Sequence, residues 1–187
     1  MTDSTTPRLR VEPATGDRWT DLEELFPASG FNGCWCQYWL LGAQYHRRPH
    51  AENRDALREQ LGSGSAGLLA YLDNRPVGWA RLSPRSELPW LARRFGRLDV
   101  SEPDVWSLPC FVVASNARRQ GVMTALIGHA TAWARATGAV LEAYPIDDAA
   151  PGATRNRFTG VLKAFERQGF SVVDRLSDDR PVVQYRG

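Results

Sequence analysis

The stretch from Val105 to Thr137 constrains this chain more than any other. Val105 to Ala114 is a nearly unbroken apolar run with the length of a buried central strand. Pro109 interrupts it without an N–H to give, so it must sit at a bulge or a splayed edge. The polar loop Ser115-Asn116-Ala117-Arg118-Arg119-Gln120-Gly121 follows. From Val122 to Thr137, Met123, Leu126, Ile127, Ala130, Trp133 and Ala134 recur at helical spacing, and Gly138 closes the helix. A strand feeding a helix that packs back on it builds an α/β layer. Loop amides and the first unpaired N–H groups of the helix then converge on one concavity at the positive end of the helix dipole, a geometry suited to phosphate or pyrophosphate. Gly121 lets the backbone approach an anion closely, and Arg118 or Arg119 can fork onto its oxygens. The plain alternative is an ordinary strand–loop–helix connection with a solvated arginine pair.

Around this segment the pattern is mixed α and β. Leu9 to Val11 alternates like a first strand, and a helix runs from the Gly16-Asp17 cap through Leu25. Pro27 to Gly33 reads as a breaker-rich loop. A second helix spans Ala51 to Leu61 and stops at Gly62-Ser63-Gly64-Ser65. Gly67 to Leu72 and Val77 to Leu82 form a hairpin turned at Asp73 to Pro76. Pro84 to Pro103 is a polar excursion with a helical piece around Leu88 to Phe95. Ala139 to Tyr144 is a buried strand, Thr159 to Gln168 a helix stopped by Gly169, and Phe170 to Asp174 and Pro181 to Tyr185 are the last strands. No repeat or linker divides the 187 residues, which suit a single domain.

Composition removes several classes of function. The 23 basic residues are 22 Arg and the single Lys163, yet the net charge is only +2, so no broad field draws nucleic acid or membrane. Three cysteines cannot build a disulfide framework. Residues 1–10 lack the apolar core of a signal peptide, and no apolar run reaches the ~20 residues of a membrane helix. The expectation is a cytoplasmic protein, monomeric or homodimeric, without a membrane or nucleic-acid partner.

The loop resembles the acyl-CoA signature of the GCN5-related N-acetyltransferases (GNATs), Arg/Gln-x-x-Gly-x-Gly/Ala after a strand. Arg118-x-x-Gly121 matches, with Val113 five residues upstream, while Met123 stands where the family has a small residue. Phe165-Glu166-Arg167-Gln168-Gly169-Phe170 is similar to the family's later Tyr-Glu-Lys-x-Gly-Phe. The resemblance covers most of the chain. It implies a mixed α/β GNAT fold, a central twisted sheet flanked by helices with splayed central strands. Within that single domain of residues 1–187 it implies a short polar tail over 1–7, first helices and an aromatic–cysteine acceptor side over 17–61, and an acyl-CoA-binding core over 105–170.

By the same resemblance the co-substrate is acetyl-CoA or another acyl-CoA, held by Phe111, Val112, Val113 and the loop Arg118, Arg119, Gln120, Gly121, Val122, Met123 and Thr124. The Phe111 amide would polarise the thioester carbonyl. The family's acidic tyrosine is replaced by Phe165, which has no proton to give. Glu142, the sole carboxylate in its apolar strand, is the candidate base, and Tyr144 on the same strand face the substitute acid. Their alternatives are a solvent-facing or arginine-paired carboxylate and a core aromatic.

Trp35 and Trp39, four apart, share a face if helical, and with Tyr38 they would wall an amine acceptor or else pack as a lid on the sheet. Cys34 and Cys36 lack two further metal ligands, and His46 and His50 share a helix face only if Pro49 does not break it, so no metal is expected. Cys110 is a conceivable nucleophile but more simply a small buried strand residue. The arginines at 81, 85, 93, 94 and 97 interleave with acids at 87, 99, 102 and 104, as on a solvated mixed-charge face. The implied activity is direct transfer of an acetyl group to a primary amine of a small molecule. The alternatives are another acyl donor, a longer acyl-CoA or aminoacyl-tRNA, and a non-catalytic acyl-CoA sensor.

Overall fold

The computed structural model describes residues 8–28, 33–62, 67–94, 105–153 and 157–187. Its strands are β1 Leu9–Pro13, β2 Gly67–Leu72, β3 Arg75–Arg81, β4 Ser83–Pro84, β5 Val105–Ser107, β6 Phe111–Val113, β7 Val140–Ala143, β8 Ser171–Ser177 and β9 Arg180–Arg186. Its α-helices are α1 Trp19–Ala28, α2 Tyr38–Leu41, α3 His50–Gly62, α4 Pro89–Arg94, α5 Val122–Thr137 and α6 Leu162–Glu166.

The run expected as one central strand is shared between two sheets. β5 pairs in parallel with β7, in a sheet ordered β4-β5-β7-β9-β8, whereas β6 pairs antiparallel with β3, in a sheet ordered β1-β2-β3-β6. The hand-over has a chemical cause. Leu108 N–H makes the last bond to the β7 side, onto the Glu142 carbonyl at 2.8 Å. Pro109 has no N–H to continue, and its carbonyl accepts from the Trp39 indole at 2.9 Å. From Cys110, whose carbonyl accepts from Arg81 N–H at 3.0 Å, the chain belongs to β3. The splay is thus a switch of partner at one proline.

Helix α5 covers one face of the first sheet. Its buried residues Val122, Leu126, Ile127, Ala130 and Ala134 form the expected stripe with Val122 added, and Trp133 and Met123 lie at its half-buried margin. On the opposite face Trp79 of β3 meets Phe26 of α1 at 6.3 Å between ring centroids. β3 is buried over six successive residues, as a strand covered on both faces must be.

Several boundaries differ from the sequence reading. α1 carries Pro27 in its last turn, because proline there removes only one helical bond at a fraying end. The β2–β3 turn is tighter than expected, with Asp73 and Asn74 both left-handed at φ 49° and 66°, as a two-residue type I′ hairpin requires. The helix expected from Thr159 begins only at Leu162, and residues 157–161 form a strap instead, a turn closed by Gly160 N–H on the Arg157 carbonyl at 2.9 Å followed by a single bridge at Val161. His46 and His50 fall on separate elements across Pro49, so they share no helix face. The polar tail over 1–7, residues 63–65 of the expected stop, residues 29–32 of the expected loop, and the acids at 99, 102 and 104 with Arg97 lie outside the described residues. No helix among the described residues is long and apolar enough to cross a membrane.

Candidate active site

Register decides which main-chain groups face the gap between the two sheets. The Cys110 carbonyl and the Ala114 N–H both bond to β3, the latter to Val77 at 2.9 Å. Strand groups alternate in direction, so Val112 also faces β3, opposite Trp79, while Phe111 and Val113 turn their N–H and C=O into the gap. Of the three expected cofactor-strand residues, the backbone of Val112 is therefore turned away.

The Phe111 amide is already engaged, donating to the Phe158 carbonyl at 2.7 Å. The strap bearing Phe158 lies between the sheets like a short added strand. Ile146 N–H donates to the Gly160 carbonyl at 3.0 Å, Leu162 N–H to the Ile146 carbonyl at 2.8 Å, and Ile146 bridges Val161 in parallel. Arg180 ties it down through the Thr159 hydroxyl at 3.2 Å and the Tyr144 carbonyl at 2.9 Å. Gly160 is left-handed at φ +81°, and a Cβ there would lie 2.9 Å from the Phe165 ring and 3.2 Å from the Met123 sulfur. Met123, the departure from the small-residue pattern, thus fills the space beneath the strap.

At the start of α5, Arg118 (φ −63°, ψ 150°) and Arg119 (φ +63°) take a type II turn, and Gly121 follows at φ +80°. Gln120 braces the loop by donating to the Asn116 carbonyl at 2.9 Å. No side chain caps the helix, and its first carbonyl bond runs from Ala125 N–H to Gly121. The N–H groups of Val122, Met123 and Thr124 are thus left at the open positive end, with Arg118, Arg119, Gln120 and Gly121 exposed around them. This loop is assembled as the sequence anticipated.

The acceptor-side candidates are arranged otherwise. Glu142 is 1% exposed and accepts two hydrogen bonds from Arg85, at 2.9 and 3.0 Å, one from Tyr144 at 2.6 Å and one from Gln184 at 2.7 Å. Three donor groups, the Arg85 Nη1 shared between both oxygens, the Tyr144 hydroxyl and the Gln184 amide, hold the carboxylate in place. Burial, the Glu142 charge and the bond to Glu142 push the Tyr144 phenol well above its ordinary value, so it holds its proton tightly. Trp35 is not helical. It stacks on Phe26 at 4.6 Å, whereas Trp39, 2% exposed, packs against Tyr144 at 6.0 Å. The shared helical face expected of Trp35 and Trp39 is absent because α2 begins only at Tyr38. Tyr38 is half-buried, edge-on to Phe158 at 5.8 Å.

Sequence reasoning missed Arg85, Gln184, Arg180 and Phe158. Arg81 and Arg85, read as part of a solvated face, are each 3% exposed. The hint in the sequence was that Arg81 interrupts the apolar run of residues 76–82. Phe165 sits in the core, edge-on to Phe111 at 5.8 Å.

The model of the Acetyltransferase (GNAT) family matches residues 28–170. The chain belongs to this family. The two-sheet arrangement with its helices is the GNAT fold, and an acyltransferase is what that fold supports. A PaiA N-acetyltransferase from Thermoplasma acidophilum, solved in complex with coenzyme A, aligns with a TM-score of 0.55 at 14% identity, over 96% of this chain and 99% of that one. A GNAT-family acetyltransferase from Streptococcus pneumoniae gives 0.57 at 15% identity, over 96% and 100%. A structure named histone acetyltransferase HPA2 and related acetyltransferase, from Corynebacterium glutamicum, gives 0.56 at 20% identity, over 96% of each chain. These likenesses speak for the GNAT fold alone. No curated protein sequence matches.

Proposed function

We propose that this GNAT domain moves an acyl group, most simply acetyl, from acyl-CoA to the primary amine of a small molecule by direct transfer. The observation that carries the reading is the pair of gap-facing residues Phe111 and Val113, in line with the uncapped loop and helix start at Arg118–Thr124. An extended amide chain fits the first, and a pyrophosphate fits the second. The PaiA neighbour was solved in complex with coenzyme A, which supports an acyl-CoA as the co-substrate.

In this proposal Phe111 N–H polarises the thioester carbonyl, which replaces the Phe158 carbonyl as acceptor. Binding therefore displaces the strap, and part of the donor's binding free energy is spent on doing so. Glu142 and Tyr144 belong to the site as its fixed floor, their hydrogen bonds to Arg85, Gln184 and Ser107 holding β7 in register with β5. The ammonium first gives a proton to water, the C–N bond then forms as the C–S bond breaks, and the proton lost by the new amide nitrogen passes through water to the CoA thiolate. An alkylamine with pKa of roughly 10 then reacts faster as pH rises toward that value.

Acetyl-CoA at about a hundred times its Kd adds about 2.7 kcal/mol of stability, which raises Tm by roughly 5–10 °C for a chain of this size. Thermal melts with CoA, acetyl-CoA and longer thioesters test the donor, and release of free CoA thiol against an amine library tests transfer. Absence of any shift with every CoA species would sink the proposal. The Phe158–Phe111 bond and the missing acid at Phe165 favour a second reading, a sensor that binds acyl-CoA without turnover. Stabilisation without thiol release from any amine would select it.

A further inference from the structure

The acceptor side of β6 carries a group of side chains that acyl transfer does not use. Cys36 and Cys110 are both buried, and the Cys110 thiol lies 3.1 Å from the Cys36 sulfur. The Trp79 indole N–H also points at Cys36, at 3.1 Å. Beside them sits the Arg81 guanidinium, 3% exposed, which donates to the Ser83 hydroxyl and the Gln60 carbonyl oxygen, while its Nε meets no partner. No carboxylate among the described residues comes within ion-pair distance of it. A buried cation needs a counter-charge, and a Cys36 thiolate supplies one. An N–H donor and a cation beside one sulfur, with a second thiol 3.1 Å away, are the arrangement of an attacking and a resolving cysteine.

We propose that Cys36 and Cys110 form a redox-active dithiol that a small hydroperoxide converts reversibly to a disulfide. The Cys36 thiolate attacks the peroxide, an S–O bond forms as the O–O bond breaks, and the departing oxide takes up the proton Cys36 had released. Cys110 then attacks the sulfenic sulfur, the S–S bond forms as the S–O bond breaks, and hydroxide leaves with the Cys110 proton as water. The two thiols lose two electrons and two protons in all, and the hydroperoxide becomes an alcohol, or water, plus one further water.

Electrostatics assigns the roles the same way. Burial raises Cys36, but the Cys110 bond, the Arg81 charge and the Trp79 N–H outweigh it and bring it below an ordinary thiol. Its hydrogen bond with Cys36, burial and the Cys36 charge hold Cys110 well above an ordinary thiol. Cys34, the possible competitor, is pushed up to about 12 by burial and stays inert. Access follows from the segment bearing Cys36. Trp35 and Cys36 are successive left-handed residues at φ 46° and 56°, so the packing that holds this turn stores strain that its opening releases. A cavity of about 180 Å³ lined by Phe26, Pro27, Gly33, Trp35 and His50 flanks its outer side.

The test treats the folded protein with hydrogen peroxide, then denatures it, alkylates it with iodoacetamide and weighs it. The expected result is loss of two hydrogens, one remaining alkylatable thiol, a peptide cross-link joining Cys36 to Cys110, and full reversal by dithiothreitol. Cys36→Ser and Cys110→Ser each lose the cross-link. Three alkylatable thiols after treatment, stable addition of two oxygens, or a cross-link through Cys34 would each overturn the proposal. The wild-type peptide map decides even if a variant fails to fold. Because the readout is mass, it is independent of acyl-CoA binding or transfer.

Discussion

The amide of Phe111 donates to the carbonyl of Phe158 across 2.7 Å, so the strap at residues 157–161 occupies the direction in which the proposed acyl donor would be held. Strap and donor then compete for one N–H. Gly160→Ala loosens the strap, because φ +81° disfavours any side chain and the new Cβ crowds Phe165 and Met123. The left-handed strain alone costs about 1–2 kcal/mol, lowering Tm. Competition predicts acetyl-CoA affinity improved by roughly five- to thirtyfold at most, since 1.4 kcal/mol is a factor of ten. Weaker binding by calorimetry would instead make the strap part of the donor's own site.

Gly121 separates folding from binding. A Cβ there meets nothing within 4 Å, so Gly121→Ala is expected to cost only the backbone strain of φ +80°, about 1–2 kcal/mol in chemical denaturation. Gly121→Asp adds a negative charge beside the pyrophosphate position and should abolish CoA binding while the melt stays cooperative. Retained affinity would remove the pyrophosphate from this loop.

Glu142→Gln tests the floor. Breaking one partner of a buried pair costs about 3–5 kcal/mol, here by leaving Arg85 with a neutral acceptor. Replacing Arg85 by Met as well should recover part of that loss. The pH profile of kcat/KM for the folded fraction is expected to keep its shape. A collapse of rate at the low-pH limb, with stability unchanged, would restore Glu142 as the general base.

Tyr144 gives a pH signature. Its folded-state value lies well above the ordinary 10.0, the unfolded value, because burial and Glu142 oppose the phenolate. Between those two values the unfolded chain has lost a proton that the folded chain keeps, so its stabilising contribution is whole below pH 10 and declines as pH rises past it. Absorbance titration at high pH should show one tyrosine ionising only on unfolding, and Tyr144→Phe should flatten the alkaline decline.

The legible parts of the site are the local ones. Gly121, the arginine pair and the stripe of α5 follow from neighbours in sequence, since a loop and a helix start are built from consecutive residues. Pro109 foretold a break for the same reason, although which sheet each half of the strand would join was not written locally. Arg85 and Glu142 lie 57 residues apart. A sequence reader meets one in a charged excursion and the other in an apolar strand, with nothing to pair them. Trp35 was misplaced because a spacing of four signals a shared face only if the segment is helical, and its left-handed turn is imposed by packing on Phe26.

The sequence by itself determined the family, the order of the main helices and strands, and an uncapped glycine–arginine loop at the start of α5, because each rests on short-range pattern. Tertiary structure alone decided that Arg81 and Arg85 are buried, that Glu142 is held by Arg85, Tyr144 and Gln184, that Cys36 meets Cys110, and that Phe158 reaches Phe111. Those are contacts between distant segments, fixed by which groups must find partners once water is excluded.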